Sequence, residues 1–288
     1  MSHSNAPFNW DELSYRALGE DLAENQRWST WGSVERLCRG PKPWPYWVVT
    51  SSAAIDTDLG VLKTGKEADV FLVERAVPDD PDQSCLLAAK RYRTADHRLF
   101  RRDGAYTEGR RLRNSRDGRA IAGKTDFGRA VEADLWAQAE WFGLKRLFDA
   151  GVPVPYPVQV DGREILMEFI RDSDEDAMVA APRLHQLRPG AALLDTLFDQ
   201  LLGALRKMTS LGMVHGDLSP YNTLVADADG PAPRLVIIDV PQLVDLVANP
   251  NAIDFLHRDC TNMAQWFTTK GHPADADELL ADLLGHTW

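Results

Sequence analysis

His215-Gly216-Asp217-Leu218-Ser219-Pro220-Tyr221-Asn222, followed by the apolar run Leu235-Val236-Ile237-Ile238 and then Asp239, decides the reading of this chain. Asp217, Asn222 and Asp239 have the order and spacing of the acidic half of a phosphoryl-transfer site. Moving a phosphoryl group asks little covalent chemistry of a protein. It asks for one carboxylate near the attacking oxygen, and for an Asn and a second Asp that hold Mg²⁺ against the phosphates. Taken singly, each of these residues reads more simply as a turn residue or a polar strand stop. The His-Gly-Asp-Leu string, the Asn and the strand-terminal Asp occurring together point to a nucleotide-phosphate site.

The loop keeps all but the Arg of the protein-kinase pattern H-R-D-L-x-x-x-N, so a basic half is expected upstream. Leu86-Leu87-Ala88-Ala89-Lys90 reads as a short apolar strand ending in Lys90. Leu62 to Val73 reads as two strands joined by Lys63-Thr64-Gly65-Lys66-Glu67-Ala68, a hairpin able to cover phosphates. A lysine there is a point charge for the α/β-phosphates and needs a buried carboxylate to hold it. The candidate is Glu140, in a stretch from Val131 to Ala150 where Leu135, Ala139, Phe142, Leu144, Leu147 and Phe148 recur at helical spacing before Gly151 and Pro153. A surface-helix Glu is the bland alternative; the complete order Lys, Glu, Asp, Asn, Asp favours the ion pair.

With these residues in place the sequence resembles the RIO family of atypical serine/threonine protein kinases, its first subfamily in particular. The resemblance rests on Thr64-Gly65-Lys66-Glu67-Ala68-Asp69-Val70, on Trp136-Ala137 with Glu140 and Leu144-Lys145-Arg146-Leu147, and on Ala150-Gly151-Val152-Pro153-Val154-Pro155. It continues through Leu166-Met167-Glu168-Phe169-Ile170, Ala181-Pro182-Arg183-Leu184, the 215–222 loop, Ile238-Asp239-Val240 with Gln242, and Phe255-Leu256 with Arg258-Asp259. It implies that Lys90 binds ATP phosphates, that Glu140 positions Lys90, that Thr64, Gly65 and Lys66 lie over the phosphates, and that Glu168 and Ile170 offer backbone groups to adenine. Asp217 would be the catalytic base toward a hydroxyl, with Asn222 and Asp239 on the metal, Mg²⁺ or alternatively Mn²⁺. In RIO-like proteins the residue matching Asp239 is also a transient phosphoryl acceptor by analogy. Pro241 departs from the small polar residue usual there, and the N- and C-terminal flanks carry no recognised motif.

The implied fold class is α+β: a two-lobed kinase-like fold, with a small antiparallel sheet plus one helix followed by a mainly helical lobe. Residues 1–54 read as a docked extension carrying Trp10, Trp28, Trp31, Trp44 and Trp47, 55–170 as the first lobe with a basic, flexible insertion over 96–130, and 171–288 as the second lobe. No Ala-Pro-Glu follows Asp239, and there is no room for a long activation segment, so a peptide substrate does not follow automatically. A Ser/Thr kinase that also autophosphorylates is the first reading. A small-molecule phosphotransferase of the aminoglycoside or choline kinase kind, and a slow ATPase switch on a ribonucleoprotein partner, are the others. The TGKEADV hairpin and the MEFI segment favour the first over the second.

Two look-alikes fall away on context. Gly118 to Thr125 satisfies the Walker A pattern, but the charged run Arg110 to Asp117 before it is no buried strand. Asp126-Phe127-Gly128 spells the kinase metal motif ahead of both Glu140 and Asp217, which is the wrong place. With 288 residues, 44% of them hydrophobic, the chain can bury a large core. No apolar run is long enough to span a bilayer, the start Met1 to Pro7 lacks the pattern of a signal peptide, and three scattered cysteines suit reduced thiols, so a cytoplasmic setting is expected. The net charge of −11 disfavours general nucleic-acid binding. Locally, residues 98–129 carry ten basic against four acidic side chains, which makes that loop the candidate contact for RNA or a ribosomal partner.

Overall fold

The computed structural model describes residues 22–93, 126–173, 177–241 and 243–286. Trp10, the Walker look-alike, most of the basic segment, the acidic residues 174–176 and Gln242 lie outside the described residues. The first part is a six-stranded antiparallel sheet in the order β1-β2-β3-β4-β6-β5. Its strands are β1 (Gln26–Trp28), β2 (Ile55–Thr64), β3 (Ala68–Val77), β4 (Asp80–Tyr92), β5 (Pro157–Asp161) and β6 (Glu164–Glu168). The hairpin and the Lys90 strand are therefore both present and longer than their apolar runs, because polar residues at either end still join the ladder.

Strand alternation gives this sheet two chemically different faces. On one, Val73, Leu87, Ala89 and Leu166 pack with Trp31, Val48, Val49 and Tyr156, and Trp44 and Trp47 cover the edge of that cluster. On the other, Ala68, Tyr92 and Ile165 join the main core beneath helix α1 (Asp126–Asp149). That helix starts five residues before the expected Val131 and so takes in the end of the expected 96–130 insertion; the Asp126-Phe127-Gly128 triplet occupies its first turn. Its buried stripe is Ala133, Trp136, Ala137, Glu140, Trp141, Leu144 and Leu147, whereas Leu135 and Phe142 are exposed. The apolar spacing was thus only half right: the core side uses small Ala and a charged Glu where the sheet lies close and Lys90 needs a partner.

The second part is mainly helical. Helix α2 (Ala191–Ser210) buries Leu194, Leu197, Leu201, Leu205 and Met208, an apolar stripe at the 3.6-residue period. Helix α3 (Ala252–Lys270) contributes Phe255, Leu256, Cys260, Met263 and Phe267, and ends on Gly271, whose φ of 102° suits a glycine cap. Helix α4 (Ala276–Gly285) opens on Asp275, whose carboxylate accepts from the amides of Asp277 and Glu278. Two short antiparallel pairs complete this part: β7 (Met213–Val214) with β10 (Val244–Asp245), and β8 (Thr223–Ala226) with β9 (Arg234–Ile237). The 215–222 loop runs from β7 to β8, and Asp239 follows β9, so one hairpin frame presents all three acidic-half residues. Among the described residues no helix is long and apolar enough to cross a membrane.

Candidate active site

Lys90 sits near the end of β4, and its ammonium bonds Glu140 Oε1 at 2.8 Å and Asp239 Oδ1 at 2.7 Å. Burial alone would push the lysine's pKa down; Asp239 and Glu140 outweigh it and hold the pKa well above the usual value. Glu140 is locked in turn by the Tyr92 hydroxyl, a hydrogen bond from two residues further along β4. Lys90 holds the carboxyl of Asp239 far below the ordinary carboxylate range, against the opposing effect of burial. The Asp239 side chain nevertheless keeps 35% of its surface exposed, against 2% for Glu140. One carboxylate of this cluster is sealed and the other opens into the cleft.

The loop is braced from behind. Burial pushes the His215 pKa down, and a neutral ring suits its bonds: Nδ1 accepts from the Asp217 amide at 3.2 Å, and Nε2 faces the Ile238 carbonyl at 3.2 Å. This assigns the proton to Nε2. The histidine thereby ties the Asp217 backbone to the residue before Asp239. Asp259 of α3 accepts the Gly216 and Leu218 amides, each at 2.8 Å, one on each carboxylate oxygen. Burial pushes its pKa up to about 7 against the pull of those amides. Arg258 bonds the Gly216 carbonyl and Asn262 the Leu218 carbonyl, the latter at 2.9 Å. The Asp217 side chain itself stays exposed.

Asn222 donates through Nδ2 to the Asp217 carbonyl at 2.9 Å, which leaves its amide oxygen as the group to offer elsewhere. An amide oxygen and a half-open carboxylate are hard donors. Mg²⁺ takes one or two such groups and fills its remaining positions with water and phosphate oxygens, so this sparse set fits it.

Thr64, Gly65 and Lys66 form the β2–β3 turn, where the Gly65 amide bonds the Ala68 carbonyl at 3.0 Å. A Cβ at Gly65 would lie 2.7 Å from that carbonyl oxygen, so only glycine fits this close turn. At the far end of the sheet the Glu168 amide is taken by the Tyr156 carbonyl, and the Ile170 carbonyl by the Ala181 amide. Only the other backbone group of each residue is left for adenine. A large cavity of about 1370 Å³ opens beside Glu168 and Phe169, lined also by Trp47, Leu86, Asp227 and Arg234. None of Lys90, Glu140, Asp217, Asn222 or Asp239 touches it, so the convergent charged groups, and not cavity size, locate the site.

A family model described as the RIO domain matches residues 79–279. The RIO-type serine/threonine-protein kinase Rio1 of Haloferax volcanii is 36% identical over 233 residues, covering 80% of this chain and 70% of that protein. The chain belongs to the RIO family. Serine/threonine-protein kinase RIO1 of Chaetomium thermophilum is 32% identical over 74% of this RIO chain, which spans only 39% of the fungal protein. Among solved structures, the Rio2 kinase–ADP/Mg²⁺–phosphoaspartate complex from the same fungus aligns with a TM-score of 0.52 at 22% identity, over 78% of this chain and 61% of that one. That likeness concerns the fold: a kinase-like two-lobed arrangement. Sequence order had brought out Lys90, Glu140, Asp217, Asn222 and Asp239. It gave no role to Tyr92 or His215, whose contacts depend on strand alternation and loop geometry, nor to Asp259, which lies 42 residues past Asp217.

Proposed function

We propose that this RIO chain is a serine/threonine kinase that transfers the γ-phosphoryl group of ATP, with Mg²⁺ as the divalent ion, to a protein hydroxyl, its own included. The observation carrying this is Lys90 held between Glu140 and Asp239, facing a loop whose Asp217 backbone is fixed by His215. Asp217 receives the proton of the attacking hydroxyl as the new oxygen–phosphorus bond forms and the bond from the γ-phosphorus to the bridging oxygen breaks. Lys90 holds the α/β-phosphates, and Thr64, Gly65 and Lys66 cover them. The Ile170 amide and the Glu168 carbonyl take the adenine edge. Asn222 and Asp239 hold the metal, whose contribution is to neutralise phosphate charge; Mn²⁺ meets the same donor set.

The relatives' names support protein substrates over small molecules. The fungal Rio2 complex contains phosphoaspartate, and Asp239 is the residue here that could accept a phosphoryl group. Incubation with γ-labelled ATP, followed by separate assay of protein-bound and free phosphate, tests the reading. Hydroxylamine-stable label on protein is expected. Label released by hydroxylamine would move Asp239 from metal ligand to acceptor, and release of free phosphate alone would favour a slow ATPase switch. We place the chain in the cytoplasm, in line with its three free thiols, and assign RNA or ribosomal contact to the basic segment 98–129. Salt-sensitive RNA binding lost on neutralising that segment would bear out this contact.

A further inference from the structure

Charge balance leaves the proposed site short of cations. Lys90 spends two of its three N–H donors on two carboxylates, and Asp217 adds a third carboxylate to the cleft. A triphosphate entering there would meet net negative charge from protein groups alone. Two further cations, neither given a role so far, approach the same place from opposite sides.

The first is Lys63. It pairs with Val70 across β2–β3, and Val70 pairs with Lys90 across β3–β4. Residues directly opposed in a ladder project to the same face, about 10 Å apart over two strand spacings. Lys63 therefore shares the face of Lys90, at the hairpin end. The second is Arg183, at the start of a short turn of helix at 184–186. Its backbone bridges to Leu224, and its guanidinium donates to the carbonyl of Tyr221, the residue before Asn222. That fixes it to the loop that carries Asp217.

The Arg183 charge reaches Lys63. Burial and then the Arg183 charge lower the Lys63 pKa, while Asp239 and Asp217 raise it; burial lowers that of Arg183, and Asp239 opposes. Among the described residues neither has a carboxylate in contact, in contrast to Lys90. Like charges held near each other without a bridging anion are relieved by one that binds between them. Arg183 is tied to the loop that carries Asp217, and Lys63 lies on the Lys90 face at the hairpin end, so the anion belongs on the acceptor side of the nucleotide. We propose that Lys63 and Arg183 clamp the terminal phosphoryl group of a nucleoside triphosphate, Lys63 from the sheet and Arg183 from the catalytic loop. This rests on the kinase reading of the same site. With both included beside Lys90 and Lys66, four cations face three carboxylates.

The test compares a non-hydrolysable ATP analogue with ADP, each with Mg²⁺, on the full chain and on Lys63→Met, Arg183→Met, Lys63→Arg and Arg183→Lys. Each Met variant should bind the triphosphate about tenfold more weakly, with ADP affinity unchanged within about twofold and the conservative variants recovering most of the loss. Equal weakening for both nucleotides would overturn the clamp, since the cations would then act on the shared phosphates or on the fold. Unchanged triphosphate binding with a raised KM for an acidic acceptor would overturn it too, and would assign the pair to the acceptor. Lys63 stands on the open hairpin, partly desolvated, and among the described residues its side chain makes no hydrogen bond or ion pair, so its variants decide the matter even if Arg183→Met melts early. A wild-type chain that binds neither nucleotide would remove the kinase reading itself.

Discussion

The sheet buries a cation on each of its faces, and the two are handled differently. On the face under the tryptophans, Arg75 is fully buried and every guanidinium nitrogen is bonded: Nε and Nη2 to Asp56 at 2.7 and 2.9 Å, Nη1 to Gln159 at 3.0 Å. Gln159 passes its own amide to Thr30 at 2.7 Å, so the network closes within the fold. On the cleft face Lys90 is as well paired, yet one of its partners, Asp239, is over a third exposed and sits in the left-handed region at φ 65°. Both clusters obey the rule that buried charge must be paired. What distinguishes a site from a structural ion pair is the partner left open, together with the backbone strain that holds it there.

The sharpest break between the two faces comes from Asp217→Asn. It should retain MgATP binding and lose roughly 10² to 10⁴ in phosphoryl transfer, because a base acts in the reaction and not in nucleotide affinity. Lys90→Ala, by contrast, should weaken nucleotide binding and turnover together, as single-turnover assays beside binding titrations would show. Asp56→Ala strands Arg75 without its carboxylate and should cost about 3–5 kcal/mol of stability in denaturant unfolding. The folded fraction of that variant should keep wild-type nucleotide affinity; a specific loss of affinity would mean that the faces are not independent.

Asp259 gives a smaller, pH-dependent effect. Its native pKa of about 7 lies above the ordinary 3.8 because of burial; the Arg258 charge pulls it down and the Asp217 charge pushes it up. The folded chain therefore keeps a proton that the unfolded chain has lost between those values, and this group makes the protein less stable as pH rises from 3.8 toward about 7. Asp259→Asn should flatten that part of a Tm-against-pH curve. In the wild type, turnover should rise through about pH 7, as the ionised carboxylate takes up both loop amides. The smallest effect is expected for Lys124→Ala in the Walker look-alike, which should leave ATP turnover nearly unchanged; abolished ATP binding there, with Lys90→Ala intact, would replace the kinase site by a P-loop.

The same comparison explains what the sequence could and could not convey. The cleft cluster was legible because phosphoryl transfer constrains both residue type and chain order, and Lys90, Glu140 and Asp239 do meet in one contact set. Arg75 and Asp56 carried no such signal: they lie 19 residues apart on neighbouring strands and pair only through register. Register also governs Lys63, whose face follows an irregularity in the β2–β3 ladder between Val61 and Lys63. Alternation counted from Val61 alone would have misplaced it; over the whole strand the earlier irregularity, between Asp58 and Gly60, cancels the error. Leu135 and Phe142 misled for the opposite reason: helical spacing identifies a helix, but the face turned to the sheet had to accommodate a lysine's partner.

The left-handed backbone at Asp239 narrows the alphabet open to evolution at that position before any chemistry is considered. Valine, isoleucine and threonine are disfavoured there by the clash of a branched Cβ with the main chain, whereas glycine and asparagine are conformationally at ease. In a library of every substitution at 239, yield of folded protein should therefore sort by conformation, and turnover by charge and metal affinity. The two rankings should agree on aspartate alone.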